Sequence, residues 1–323
     1  MTMVHRSRPP APRSVSDAAR QYLDSTPEFG GGDAASAAPA PNDIDAWMQI
    51  KQAADAGLAQ VFRSRVPADP PLELSEFELE GVRTYVLQPA SLENGSSVPI
   101  YIDIHGGALV YGGGDACVAM TMPGALDRDM ITWAPDYRMP PAHPFPAALD
   151  DVLAVYRRAL TEREPADVFL AGPSAGGNLA AALLLRAKEE GLPMPAALVL
   201  NSPEVDLTES GDTFTTNLGI DVMGSLMPMN LLYANGHDLA HPHLSPLFGD
   251  LGDFPPTYLQ SGTRDLFLSN TVRMHRKLRA AGVEAELHIA EAMPHGGLGG
   301  NTSEDHELAA EQACFIEKHR RRS

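Results

Sequence analysis

Apolar positions along this chain recur in two different rhythms. Between residues 43 and 62, Ile44, Trp47, Met48, Ile50, Leu58, Val61 and Phe62 keep the three-and-four spacing of an amphipathic helix, which Pro67, Pro70 and Pro71 close. After them come short apolar runs of strand length at 84–87, 99–104, 130–134, 167–171, 197–201, 257–261 and 284–290. Helical stretches lie between most of these runs, at 147–160, 177–190, 270–281 and 304–319. Strands alternating with helices predict an α/β fold: a mainly parallel central sheet with helices on both faces. Residues 206–250 interrupt the alternation, with no clear strand, many Met and Leu residues and several turn signals. In an α/β protein such an insertion is expected over the carboxyl ends of the strands, where ligands bind. Residues 1–42 are rich in Ala, Pro, Gly and Ser, including Phe29-Gly-Gly-Gly-Asp33 and Ala37-Ala-Pro-Ala-Pro41, and read as loop or tether around one short helix at 16–23.

Composition narrows the classes of function. With 323 residues and 44% apolar composition, the chain can bury one large core. The 42 acidic and 24 basic residues give a net charge of −18, the wrong sign for nucleic acid or an anionic membrane surface. The one basic cluster, His319-Arg-Arg-Arg322, falls at an expected helix end, where it complements the dipole. Cys117 and Cys314 are too few for a disulfide framework and lack zinc-site spacing. No apolar run is long enough to span a bilayer, and no apolar stretch follows the charged N-terminus as in a secretory signal. A cytoplasmic protein with no membrane span is therefore the expectation.

The chemistry-bearing residues lie at the ends of the expected strands. Gly172-Pro-Ser-Ala-Gly176 is the one G-x-S-x-G in the chain, with a buried strand before it and a helix after it. That context is what a nucleophile elbow needs, and it makes Ser174 the candidate nucleophile. A serine hydroxyl needs a base, and the base needs an orienting carboxylate. Asp265, just after the 257–261 strand, and His295, just after the 284–290 strand, follow the serine in the required order. Asp206 is the rival acid. His237, His241 and His243 could be taken for a metal site, but Pro242 and the absence of a matching carboxylate and cysteine pattern favour ordinary loop histidines. His105-Gly-Gly-Ala108 follows the 99–104 strand, and the backbone N–H groups of Gly106 and Gly107, with that of Ala175, make a candidate oxyanion hole.

These segments resemble the hormone-sensitive-lipase-like family of bacterial α/β-hydrolase carboxylesterases. The residues carrying the resemblance are His105-Gly-Gly-Ala108, the stretch Asp136-Tyr-Arg-Met-Pro-Pro-Ala-His-Pro-Phe-Pro-Ala-Ala-Leu-Asp-Asp151, Gly172-Pro-Ser-Ala-Gly-Gly177, Ser202-Pro-Glu-Val-Asp-Leu207, Ser245-Pro-Leu-Phe248 and Pro294-His-Gly296. The Asp136 to Asp151 stretch is the most specific. The resemblance implies an α/β-hydrolase fold that cleaves short- or medium-chain carboxylic esters through Ser174, Asp265 and His295, without cofactor or metal. It also implies a helical cap, dividing the chain into a tether and cap helix at 1–66 and a catalytic domain at 67–323 with a cap insertion at about 206–240. Ala108, Pro173, Ala142 and Glu204 stand where the family usually carries Gly, Asp, Glu and Trp. A lactonase, amidase or deacetylase with the same triad, or a non-catalytic receptor on the same fold, are the alternatives, and a homodimer is left open.

Overall fold

The computed structural model describes residues 8–26, 38–92 and 98–321. The glycine run at 29–33 lies outside the described residues. Among the described residues, eight strands form one sheet: β1 (Leu72–Leu79), β2 (Val82–Pro89), β3 (Ile100–Asp103), β4 (Ile131–Asp136), β5 (Val168–Pro173), β6 (Ala197–Asn201), β7 (Thr257–Gly262) and β8 (Ala285–Ala290). Their order across the sheet is β1-β2-β4-β3-β5-β6-β7-β8, with β1 and β2 antiparallel and every pairing from β4 to β8 parallel.

Strand alternation divides the core. Ile100, Ile102, Val168, Leu170, Leu198 and Leu200 face one side, against helices at Ala147–Glu162 (below, α4), Ala175–Glu189 (α5) and Leu268–Ala280 (α8). Tyr101, Phe169, Ala197, Val199 and Tyr258 face the other side, against Phe315 and Ile316 of the last helix, Ser303–His319 (α9). The remaining helices are α1 (Asp17–Ser25), α2 (Ile44–Arg63), α3 (Asp115–Leu126), α6 (Thr213–Thr216) and α7 (Met227–Ala234).

Two elements escape the sequence reading. β1 is an exposed edge strand in which Glu76 and Phe77 break the alternation begun by Leu72 and Leu74. α3 has no polar stripe and carries Pro123, so periodicity gives it no signature; it packs Cys117, Val118 and Ala125 against Tyr85, Leu87 and Ala134. The amphipathic face expected on α2 is also only partly covered. Trp47 is buried with Val110 and Leu232, whereas Ile44, Met48 and Ile50 are exposed.

The described part of the N-terminal segment is docked. Val15, Ala19 and Leu23 pack with Met293, Leu298 and Leu308, and Glu304 accepts both the N–H and the hydroxyl of Ser16 at 2.6 and 2.8 Å. α2 packs on α3, and Asp55 of α2 accepts the Gly112 N–H at 2.6 Å.

The tightest packing lies where β5 turns into α5. A methyl group on Gly176 would sit 1.9 Å from the Ile104 carbonyl oxygen, and one on Gly172 would sit 2.3 Å from the Gly176 carbonyl carbon. Both obstructions are backbone, so neither can be relieved by a rotamer change. Gly57, within α2, has open space around it. Gly176→Ala should therefore lower the free energy of unfolding by about 3 kcal/mol or more, whereas Gly57→Ala should raise it by about 0.5–1 kcal/mol. Denaturant melts of the two variants check this; equal midpoints would contradict the close approach.

Candidate active site

Ser174 sits between the end of β5 and the start of α5 with φ 55° and ψ −122°, a conformation rare for a residue with a side chain. Its N–H is held by the Asn201 carbonyl at 2.9 Å, and its own carbonyl accepts the Glu204 N–H at 3.1 Å. The turn thus presents the hydroxyl at the carboxyl edge of the sheet.

His295 and Asp265 meet it there. His295 Nε2 lies 3.0 Å from Ser174 Oγ, and Nδ1 lies 3.2 Å from Asp265 Oδ1. The Asp265 carboxylate is buried and also accepts the Ser261 hydroxyl at 2.6 Å and the Phe267 N–H at 2.9 Å. Burial alone would raise the Asp265 pKa, but His295 and the Ser261 hydroxyl more than offset it and hold the carboxyl below its ordinary value. Burial would lower the His295 pKa, yet Asp265, followed by the charge of Asp221, leaves it raised. The two loops are stitched together by the Arg264 N–H on the Met293 carbonyl at 3.1 Å and by the Ala292 N–H on the Thr263 hydroxyl at 2.7 Å.

The glycine loop completes the edge. Gly106 packs directly against Ser174, with space for a methyl only 3.4 Å from the serine Cβ, and Gly107 adopts φ 118° with the Tyr111 carbonyl too close for any side chain. Ala175 is the first residue of α5, so its N–H belongs to the unpaired first turn of that helix. Ala108 takes φ 54°, a left-handed conformation that favours glycine. The stretch from Asp136 to Asp151 supports this loop. Asp136 accepts the Gly114 N–H at 3.0 Å, Tyr137 donates to the His105 carbonyl at 2.9 Å, and Asp151 fixes Arg138 through its N–H at 2.7 Å and its guanidinium at 2.5 Å.

A cavity of about 800 Å³ opens above Ser174. Its walls come from α2 (Ala54, Gly57, Leu58, Val61 and Phe62), from Tyr22 of α1, and from Met223, Leu226 and Met229 of the insertion. Of the neighbouring insertion residues, Met227 does not line the cavity, Leu231 is half exposed and Leu232 packs on Trp47.

The rivals go elsewhere. Asp206 accepts from Thr208, Ser210 and Arg273, with the Arg273 contact at 2.7 Å, and bonds to neither His295 nor Ser174. His237 and His241 pack around Phe145, and His243 faces Glu189; among the described residues no group of three or more side chains could hold a metal ion. Cys117 and Cys314 are both free. No helix among the described residues is long and apolar enough to cross a membrane.

Glu204 is the unexpected group. It is fully buried, and neither carboxylate oxygen has a hydrogen-bond partner among the described residues. Burial pushes its pKa up to about 8, opposed in part by the Asn230 side chain and reinforced by Glu209. A carboxyl with a raised folded pKa destabilises the fold as pH rises from its ordinary value of 4.5 to about 8. Glu204→Gln should therefore gain stability over the parent between pH 6 and pH 9, by roughly 2–3 kcal/mol. Chemical melts at the two pH values test it; a gap independent of pH would mean that Glu204 is ionised in the fold.

A sequence profile described as the alpha/beta hydrolase fold matches residues 101–298. An esterase of Acinetobacter venetianus is 31% identical over 232 residues, covering 70% of this chain and 75% of that protein. Among solved structures, an esterase named E25 superposes with a TM-score of 0.89 at 34% identity, covering 99% of both chains. A hormone-sensitive lipase from a metagenome library superposes at 0.74 with 31% identity, covering 87% of this chain and 99% of that one. By its fold and by these relatives, the chain belongs to the alpha/beta hydrolase fold family, among its hormone-sensitive-lipase-like esterases.

Proposed function

We propose that this chain is a serine carboxylesterase in which Ser174 is the nucleophile, His295 the general base and acid, and Asp265 the carboxylate that orients the imidazole. Hydrolysis of carboxylic esters is what its family membership supports. The observation that carries the residue roles is the continuous line from Ser174 Oγ to His295 Nε2 and from Nδ1 to Asp265, at 3.0 and 3.2 Å, beneath a largely apolar cavity.

As Ser174 Oγ bonds to the ester carbonyl carbon, its proton passes to His295 Nε2. The carbonyl oxygen gains the negative charge and is held by the N–H groups of Gly106, Gly107 and Ala175; each such donor is typically worth about 3–4 kcal/mol. The imidazolium then protonates the leaving alkoxide as its bond to carbon breaks, leaving an acyl group on Ser174. A water next gives a proton to Nε2 and its oxygen to the acyl carbon, and Ser174 departs with that proton as the acid is released. Asp265 stays ionised throughout and stabilises the imidazolium.

The roof that we assign as the cap consists of α2 and the 206–240 insertion. Met223 and Met229 are flexible, polarisable side chains suited to acyl groups of varied shape, and the cavity volume suits short and medium chains. A receptor on this fold would have no use for a connected serine, histidine and aspartate. Lactones and anilides test the same line of residues against other leaving groups.

Ser174→Ala should abolish ester turnover with an unchanged melt, apart from a residual rate of about a thousandfold over water. Asp265→Asn should lower kcat by about 10⁴-fold, and Asp206→Asn far less. Since the base must be neutral to accept the serine proton, kcat/KM should fall as pH drops through a histidine pKa above 6.5. Steady-state kinetics from pH 5 to 9 measure all three, and a Ser174→Ala rate within tenfold of the parent would end the assignment.

The cap assignment has its own test. Met229→Trp should fill acyl space and reduce kcat/KM for octanoate esters at least tenfold more than for acetates. Equal losses along an acyl series would reduce Met229 to a packing residue.

A further inference from the structure

Behind the line of Ser174, His295 and Asp265, the insertion places a tight turn at residues 217–221 against both loops that carry the histidine and the acid. The Asn217 amide donates to the carbonyls of Thr263 at 3.2 Å and Asp265 at 2.8 Å. Asp221 has no exposed surface, and its carboxylate takes three backbone N–H groups. Oδ2 accepts from Leu266 at 2.6 Å, while Oδ1 accepts from His295 at 2.9 Å and from Val222 at 2.6 Å. One side chain therefore ties the peptide after the acid to the peptide of the base itself. The turn is braced from outside by Arg8, whose guanidinium donates to the carbonyls of Ile220 at 3.0 Å and Asp221 at 3.3 Å.

A neutral acceptor could satisfy part of this set, but a carboxylate satisfies all three donors and adds a negative charge near the imidazole. The charged and titratable groups facing this cluster are His295, the Asp265 carboxylate, the Arg8 guanidinium and, toward the imidazole, the protonated Glu204 carboxyl. We propose that Asp221 is a positioning residue for ester hydrolysis, holding the acid loop and the base loop in register and supporting the imidazolium with a second carboxylate. The proposal rests on the triad reading above.

The physical logic has two parts. An error of about 1 Å in the placement of the base is enough to cost a hundredfold in rate, so a clip on the His295 peptide acts on kcat rather than on substrate binding. In addition, Asp221 raises the His295 pKa, so removing its charge lowers it. Asp221 is itself pushed up to about 6, by burial and by the Asp265 charge. The clip is thus charged at neutral pH and opens in mild acid, when a carboxyl proton points at a backbone N–H.

Asp221→Asn keeps the volume, removes the charge and offers only one oxygen to three donors. With 4-nitrophenyl acetate, its kcat should fall by about ten- to a hundredfold with KM within about threefold of the parent. The acid limb of its kcat/KM profile should also move to lower pH by about half a unit or more. The parent enzyme gives a measurement that needs no variant: its acid limb should steepen from one proton to two below about pH 6, with circular dichroism run alongside to check that the fold is native. A kcat within twofold of the parent, an unmoved acid limb in the variant, or a one-proton limb down to pH 5 in the parent would each overturn the proposal. Failure of the triad reading is separable, because it shows as parent-like turnover by Ser174→Ala whatever Asp221→Asn does.

Discussion

The close approach of the β5–α5 turn to the end of β3 is the constraint on which the rest of the site depends. Ser174 holds a backbone conformation that costs about 1–3 kcal/mol in isolation. It is sustained because Gly172 and Gly176 let the turn close onto itself and onto the Ile104 carbonyl, and because Asn201 and Glu204 grip the serine peptide on both sides. The same contact puts Gly106 against the serine Cβ. The proposed nucleophile and the proposed oxyanion donors are therefore placed by one packing contact between neighbouring parallel strands.

Around that point the protein gathers carboxylates and treats them differently. Asp265 is buried but amply bonded, and its pKa is depressed; Asp221 is buried among backbone donors, and its pKa is raised. Glu204 is buried with no partner for either oxygen among the described residues, and its pKa is raised further. Asp265 and Asp221 raise the pKa of His295, against a burial effect that lowers it. Burial pushes all three carboxyls upward, and the neighbouring charge decides the outcome: the His295 imidazole draws Asp265 down, while the Asp265 charge adds to the rise at Asp221.

The segments outside the sheet act on the same edge. α2 and α1 wall the cavity, Asp55 of α2 holds the glycine loop, and Arg8 and Arg264 tie the first described residues to the insertion and to the acid loop. The N-terminal segment is thus joined by hydrogen bonds to the insertion, the Asp265 loop and the loop after β3.

The sequence by itself determined the α/β architecture, because strand-length apolar runs and helical periodicities are local properties of the chain. It also brought Ser174, Asp265, His295 and the Gly106-Gly107 loop forward as candidates, since each lies at a strand end within a short motif whose spacing is local. It passed over β1, where alternation slips at an exposed edge, and α3, which is apolar all round and so has no face to detect. Only the tertiary structure decided which carboxylate meets the histidine. Asp206 and Asp265 both follow strands, but Arg273, Thr208 and Ser210 capture the first while His295 reaches the second. The same holds for Met229 lining the cavity where Met227 does not, and for Asp221, which sits in no motif. The physical reason is that burial, partnership and charge coupling between residues far apart in sequence exist only once the sheet edge has assembled.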